Sequence, residues 1–162
     1  MKRFLLRPSL GFTFVELLIV IVVVGVLAAL VLNSYAGVQA KSRDTTRQNA
    51  INALAAALEA CYDDQTACNG TYPTLLQLQD DSDNGWVATH LKNFSKSNLY
   101  DTHANKIQAN PPEAGSEYQY EPHKADGSLC GSGEGQICAS YVLKAWQEQD
   151  IDTPYVQQSS NK

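Results

Sequence analysis

GFTFVELLIVIVVVGVLAALVL, Gly11 to Leu32, is the stretch from which the rest of the chain is read. Its 21 residues from Phe12 to Leu32 include only two polar side chains, Thr13 and Glu16. As a helix they would extend ~31 Å, about the hydrocarbon thickness of a bilayer. Glu16 is the anomaly. A central charged side chain costs roughly 2.5–3.5 kcal/mol to insert, so an intramembrane carboxylate is a functional residue by default. The chain has no basic residue between Arg7 and Lys41, so a basic partner for Glu16 has to come from outside the segment.

Length and charge bound the remainder. The 162 residues hold one domain and its anchor. The formal charge is −5; without Lys2, Arg3 and Arg7 it is −8, from 9 basic and 17 acidic side chains. An acidic balance favours solubility and gives no support for a nucleic-acid partner. Basic residues before the apolar run place the N-terminus in the cytoplasm and the remainder across the membrane. All four Cys lie beyond residue 60, which agrees with an oxidising destination.

A basic leader, Gly11, then Phe12-Thr13-x-x-Glu16 and an apolar helix resembles the N-terminus of type IV pilins and pseudopilins. The resemblance implies cleavage by a prepilin peptidase between Gly11 and Phe12 and methylation of the new Phe12 amine. It also implies that Glu16 docks on the Phe12 amine of a neighbouring subunit and sets the axial register. Two opposite charges that are each costly in an apolar bundle become tolerable as a pair. An ordinary secretory signal has an apolar core of only 7–15 residues and a small-x-small cleavage site. An uncleaved signal anchor fits the length and the charge bias, but gives no reason for Gly11 or Glu16.

Beyond the anchor, residues 33–50 turn polar without a Pro, and the apolar period resumes at Ile51, Leu54, Ala55, Leu58, Cys61 and Tyr62. These spacings of three and four make one stripe of an amphipathic helix. One nearly continuous helix is therefore predicted from about residue 13 to about 62, some ~75 Å long. Gly25 and Gly37 are its soft points, at about 1 kcal/mol each against Ala. The organisation expected is a leader (1–11), a membrane or filament-core helix (12–32), an amphipathic half (33–62) and a globular head (63–162). Within the head, 63–117 reads as loops and 118–158 as an antiparallel sheet. Local helix is predicted at Thr74–Leu78 and at Trp86–Phe94, the latter capped by Asp83 or Asn84. Tyr118–Glu121 reads as a strand with Pro122 marking an edge, Cys138–Glu148 as the strongest strand, and Tyr155–Gln157 as a short third one. On the second strand Tyr141, Leu143 and Ala145 share one face, with Lys144 and Trp146 opposite. The fold class is α+β and pilin-like, a long N-terminal spine with a small sheet on its amphipathic half.

Four Cys allow three pairings, and the sequence does not choose among them. Cys61 with Cys68 is the simplest local loop, and Cys130 with Cys138 brackets the Gly-rich turn, resembling the C-terminal disulfide region of many pilins. The intervening six and seven residues are too many for a zinc knuckle. Asp80-Asp81-Ser82-Asp83-Asn84-Gly85 begins like a calcium loop, but Leu91 stands where the closing Glu belongs. His90, His103 and His123 lie apart with no G-x-S-x-G motif, so no catalytic site is expected; no metal or other cofactor is assigned, the acidic run at Asp80–Asp83 reading as a solvated turn or, alternatively, an irregular calcium site. Asn69-Gly-Thr and Asn93-Phe-Ser match the bare glycosylation sequon.

The resemblance implies a non-enzymatic structural subunit of a type IV pilus. It would wait in the cytoplasmic membrane with its head outside, then assemble as a homo-oligomeric helical filament on the cell surface. The implied partners are the prepilin peptidase and an inner-membrane assembly platform driven by a motor ATPase. A type II secretion pseudopilin shares the same N-terminus. A signal-anchored extracellular binding domain is the rival from another class.

Overall fold

No proline interrupts the chain between Pro8 and Pro73, and one helix, α1, runs from Phe14 to Asp63. A computed structural model describes residues 11–109, 118–131, 133, 135–150 and 152–161. Lys2, Arg3 and Arg7 of the expected leader, and 110–117 of the expected loop region, lie outside the described residues. The chain separates into two compact units, Met1–Gln39 and Ala40–Lys162. The helix continues through Gly25 and Gly37, and a Cβ at either glycine would meet nothing within 4 Å.

Two turns of logic end α1. Asp64 Oδ1 accepts from the Thr66 amide and hydroxyl at 2.9 and 2.6 Å. Asn69 and Gly70 then adopt positive φ, and a Cys61–Cys68 disulfide closes the loop. Thr74 opens α2 (Leu75–Gln79) through a capping box: its hydroxyl accepts from the Gln77 amide while its own amide donates to Gln77 Oε1 at 2.8 Å.

The next helix, α3, spans Trp86–His90, shorter than the predicted Trp86–Phe94, because Asn93 takes a φ of 62° and turns the chain. Its N-cap is Gly85 rather than Asp83 or Asn84. Asp80 supplies the missing acceptor, its Oδ2 receiving the Trp86 amide at 3.1 Å. The backbone passes so close to Asp80 that a Cβ on Gly85 would sit 2.5 Å from the Asp80 carbonyl oxygen, so only glycine fits. A 3-10 turn at Lys96–Leu99 follows. The long connection is then zipped to α2: Gln79 Nε2 donates to Ile107 O at 2.7 Å, and Lys106 Nζ donates to Asp81 at 2.8 Å and to Gln79 O at 3.1 Å.

Three strands, β1 (Tyr118–His123), β2 (Ser140–Ala145) and β3 (Tyr155–Gln158), form an antiparallel meander in the order β1-β2-β3. Pro122 lies within β1, not at its end, and is tolerated because β1 is an edge strand; the amide it lacks would face away from β2. The second strand is shorter than the Cys138–Glu148 reading. Cys138 leaves the ladder for a disulfide with Cys130 and a bridge in which its carbonyl takes the Tyr72 amide. At the other end Glu148 departs to meet two arginines.

Tyr141, Leu143 and Ala145 are buried on one face, and Lys144 and Trp146 are half-buried on the other. The buried face shares a single core with Ile51, Leu54, Leu58 and Cys61 of α1. Those α1 positions continue N-terminally at the same spacing to Arg47 and Asp44, which are also buried. Arg47 is 0% exposed. It donates to Asp44 Oδ1 at 2.9 Å, Thr102 Oγ1 at 2.8 Å and Glu148 Oε1 at 2.7 Å. Arg43 adds a two-pronged contact to Glu148 at 2.6 and 2.8 Å. Asp44 in turn accepts the Glu148 and Gln149 amides.

Removing one member of a buried ion pair leaves the other charged and unpaired, a loss of about 3–5 kcal/mol. Arg47→Ala should therefore destabilise the head by that amount in denaturant unfolding of the full chain in micelles. Arg43→Ala, whose side chain is 42% exposed, should lose under about 1 kcal/mol. Arg43, and then Arg47, hold the Glu148 carboxyl down to about 2 against an ordinary 4.5, with burial opposing them. A depressed carboxylate stabilises fully above its unfolded pKa and loses that contribution as pH falls toward its folded one. The stability gap between wild type and Glu148→Gln should thus be full at pH 6 and close on acidification from about 4.5 to about 2. A gap that stays constant over that range would contradict the ion-pair account.

Candidate assembly site at the helix N-terminus

Gly11, Phe12 and Thr13 precede the first turn of α1 without regular structure, and all three are exposed. From Phe12 to Leu32 the large apolar side chains stay between 46% exposed (Leu18) and 81% exposed (Phe14). These side chains are exposed among the described residues. An uncovered apolar patch on this scale marks a membrane or protein interface. By length and composition α1 also includes a segment able to cross a membrane.

Glu16 sits one turn inside this surface. Among the described residues it has no basic partner, and its carboxylate is answered by its own chain instead. Oε2 accepts the Thr13 amide at 2.9 Å and the Thr13 hydroxyl at 2.8 Å, while Thr13 Oγ1 accepts the Glu16 amide at 3.3 Å. This is a capping box, with Thr13 as N-cap and Glu16 three residues on. It satisfies orphan amides of the first turn and places negative charge at the positive end of the helix dipole. The expectation of an external partner missed this uncharged one, although Thr-x-x-Glu before an apolar run is itself a capping-box signature.

Phe12 and Glu16 are thus brought to the same helix end beside Gly11. Residues 6–32 match the family model of the prokaryotic N-terminal methylation motif. This motif is the signature of type IV pilin and pseudopilin precursors, and the chain carries it. No curated protein and no solved structure matches the chain. The methylation motif supports a pilin-like or pseudopilin precursor, implies handling by a prepilin peptidase and an assembly machinery, and suggests a structural rather than enzymatic protein. The exposed apolar helix behind the motif is consistent with a membrane-held precursor.

The other candidates lie apart from the motif. His90 stacks on Trp86, His103 lies in a loop 4.0 Å from Asp101, and His123 ends β1. In the acidic loop Asp80 accepts from Ser82 and Trp86, Asp81 from Lys106 and Tyr100, and Asp83 from Lys96. Among the described residues no group of three His, Cys, Asp or Glu side chains is arranged around a common metal position.

A second cluster escaped sequence reading because its members are far apart in sequence. Glu59 on α1 accepts from the Tyr141 hydroxyl at 2.8 Å, the Tyr72 hydroxyl at 3.1 Å and the Ser160 amide at 3.3 Å. Burial pushes the Tyr72 hydroxyl up to about 12 and raises Tyr141 as well, with Glu59 adding to both shifts. The cluster ties the C-terminal residues to α1.

Thr13→Val keeps the shape of the N-cap but removes its hydroxyl, a change worth about 1 kcal/mol of helix-end stability. Amide exchange of residues 14–17 in micelles should accelerate about fivefold, while Thr13→Ser should exchange like wild type. Equal rates in all three would mean that the box does not form.

Proposed function

We propose that this chain is the structural subunit of a type IV pilus. It is held in the cytoplasmic membrane by the 12–32 helix, released from its leader by prepilin peptidase, and assembled through packing of that helix. The observation that carries the reading is a bare apolar helix whose only charge is Glu16, one turn from Phe12 and directly after Gly11. Gly11 and Phe12 are the processing residues, and Phe12 receives the methyl group. Glu16 is the docking residue. On assembly its carboxylate exchanges the Thr13 donors for the charged Phe12 amine of a neighbouring copy. A charge-assisted hydrogen bond is shorter and roughly twice as strong as a neutral one, so that exchange favours the docked state.

Copies joined through unlike surfaces give an open helix rather than a closed ring, which suits a homo-oligomeric filament built by an assembly platform and motor ATPase. Two disulfides in the head favour a subunit that ends outside the cell. The secretion pseudopilin reading shares every N-terminal feature and differs in where the mature chain accumulates.

Mass spectrometry of protein sheared from intact cells, beside the membrane fraction, tests the proposal. The expected result is a mature chain beginning at methylated Phe12 and abundant in the sheared fraction. The same mature chain confined to membranes would favour the pseudopilin. A chain retaining Met1–Gly11 in every fraction would overturn processing altogether. Glu16→Ala should leave the mature mass unchanged and empty the sheared fraction.

A further inference from the structure

The exposed apolar surface of α1 runs past Leu32 to Tyr35 and Val38. Tyr35 differs in kind from the rest of it. No other Tyr or Trp occurs before Tyr62, so the first part of the chain holds a single aromatic ring with a polar tip. Tyr35 is exposed and opens on one groove with Leu30, Val31 and Val38, so its ring continues the apolar surface. A phenol joins an apolar ring to a hydrogen-bonding hydroxyl, and such side chains are enriched where hydrocarbon gives way to headgroups.

The spacing then acts as a ruler. The helix continues unbroken from Phe14 through Tyr35. Glu16 and Tyr35 are 19 residues apart, which is about 29 Å along a helix and close to the ~30 Å hydrocarbon thickness. With the Tyr35 ring in the interface on the side away from the leader, Glu16 falls at the opposite edge of the hydrocarbon rather than within it. Gly11 and Phe12 precede the helix and are exposed, so the bond between them lies beyond that edge, on the water side.

The intervening residues do not set this depth. From Leu17 to Leu32 every residue is apolar or Gly, and a displacement by one turn, ~5.4 Å, would leave most of them in hydrocarbon. The same displacement away from the leader would draw Glu16 into the hydrocarbon and bring the Gly11–Phe12 bond to its edge. A polar residue resists entry into lipid and an apolar one resists exit; a side chain with both characters resists motion in both directions. We propose, on the basis of the membrane-held precursor argued above, that Tyr35 is the depth-setting contact with the phospholipid interface. Through it Glu16 and the Gly11–Phe12 bond are held at the opposite face of the bilayer. Tyr35 is thus a positioning residue for processing, acting at the far end of the helix from the bond that is cut.

Full-length precursor in phospholipid bicelles tests this by NMR. Phosphatidylcholine spin-labelled either near the headgroup or at the acyl-chain end reports depth through paramagnetic broadening. The chain-end label should broaden amides near Val24 most, and the headgroup-proximal label should broaden Glu16 and the Tyr35 ring. Tyr35→Ala and Tyr35→Leu should each reduce the preference of Glu16 for the headgroup-proximal label by about half and slow leader release by prepilin peptidase several-fold, whereas Tyr35→Trp should preserve both. Unchanged head amide shifts identify variants that keep the fold. If neither label reaches residues 14–32, the membrane-held reading itself falls, and the anchor with it. If the labels reach that segment but the Tyr35 ring escapes both, or is broadened chiefly by the chain-end label, the anchor alone is overturned. Protection of the Tyr35 ring that disappears on dilution with lipid would give its surface to a second copy and also overturn the proposal. A Tyr35→Leu chain with wild-type depth and cleavage would do the same, because apolar area alone would then suffice.

Discussion

The Arg47 guanidinium, fully buried and charged, is the constraint on which the head depends. It faces Asp44 on its own helix, Thr102 from the long connection and Glu148 from beyond β2. Three segments remote in sequence are therefore committed to one place by a group that cannot shed its charge. An apolar residue of the same volume would fill that space and tolerate a shifted sheet. The ion pair does not, because only the observed arrangement satisfies its oxygens and most of its donors. Glu59 does related work about three helical turns further along, where Tyr72, Tyr141 and the C-terminal Ser160 converge on one carboxylate. Between these polar points Ile51, Leu54 and Leu58 supply the apolar burial.

The same helix handles its first residues in the opposite way. From Phe12 to Leu32 its apolar side chains are exposed among the described residues, and its single carboxylate is satisfied by an N-cap instead of a cation. Burying an isolated charge is prohibitive, whereas a carboxylate holding one amide and one hydroxyl at the positive end of a helix is tolerable. A group in that state can wait in a membrane and still gain by meeting a cation. Under the function proposed above, the capping box suits both a stored and a docked form of the chain, and Thr13 would act together with Glu16.

The elements governed by local chemistry were legible in the sequence. The 3.6 period gave α1 nearly to the residue, the run Thr74–Leu78 placed the turn of α2 though not its capping box, and alternation placed Tyr141, Leu143 and Ala145 on the buried face. Illegible parts were those in which a polar residue occupies a core position. Asp44 and Arg47 continue the heptad-like spacing of 51, 54, 58 and 61, but an apolar count passes over them. The cap of α3 was misread because its acceptor, Asp80, lies six residues from the amide it serves and reaches it only because Gly85 has no side chain. At the candidate site Gly11, Phe12 and Glu16 stood out through composition and order. Thr13 did not, because its hydroxyl looked like a minor exception in an apolar run.

The head's polar residues also divide according to what they leave unsatisfied. Around Arg47 and Glu59 most donors and acceptors have found a partner within the chain, as expected where a lone buried group would cost about 1–3 kcal/mol, and Arg47 Nε is the exception there among the described residues. Gln119 Oε1 on β1 and Trp146 Nε1 just beyond β2 are the other buried side-chain atoms without a partner among the described residues.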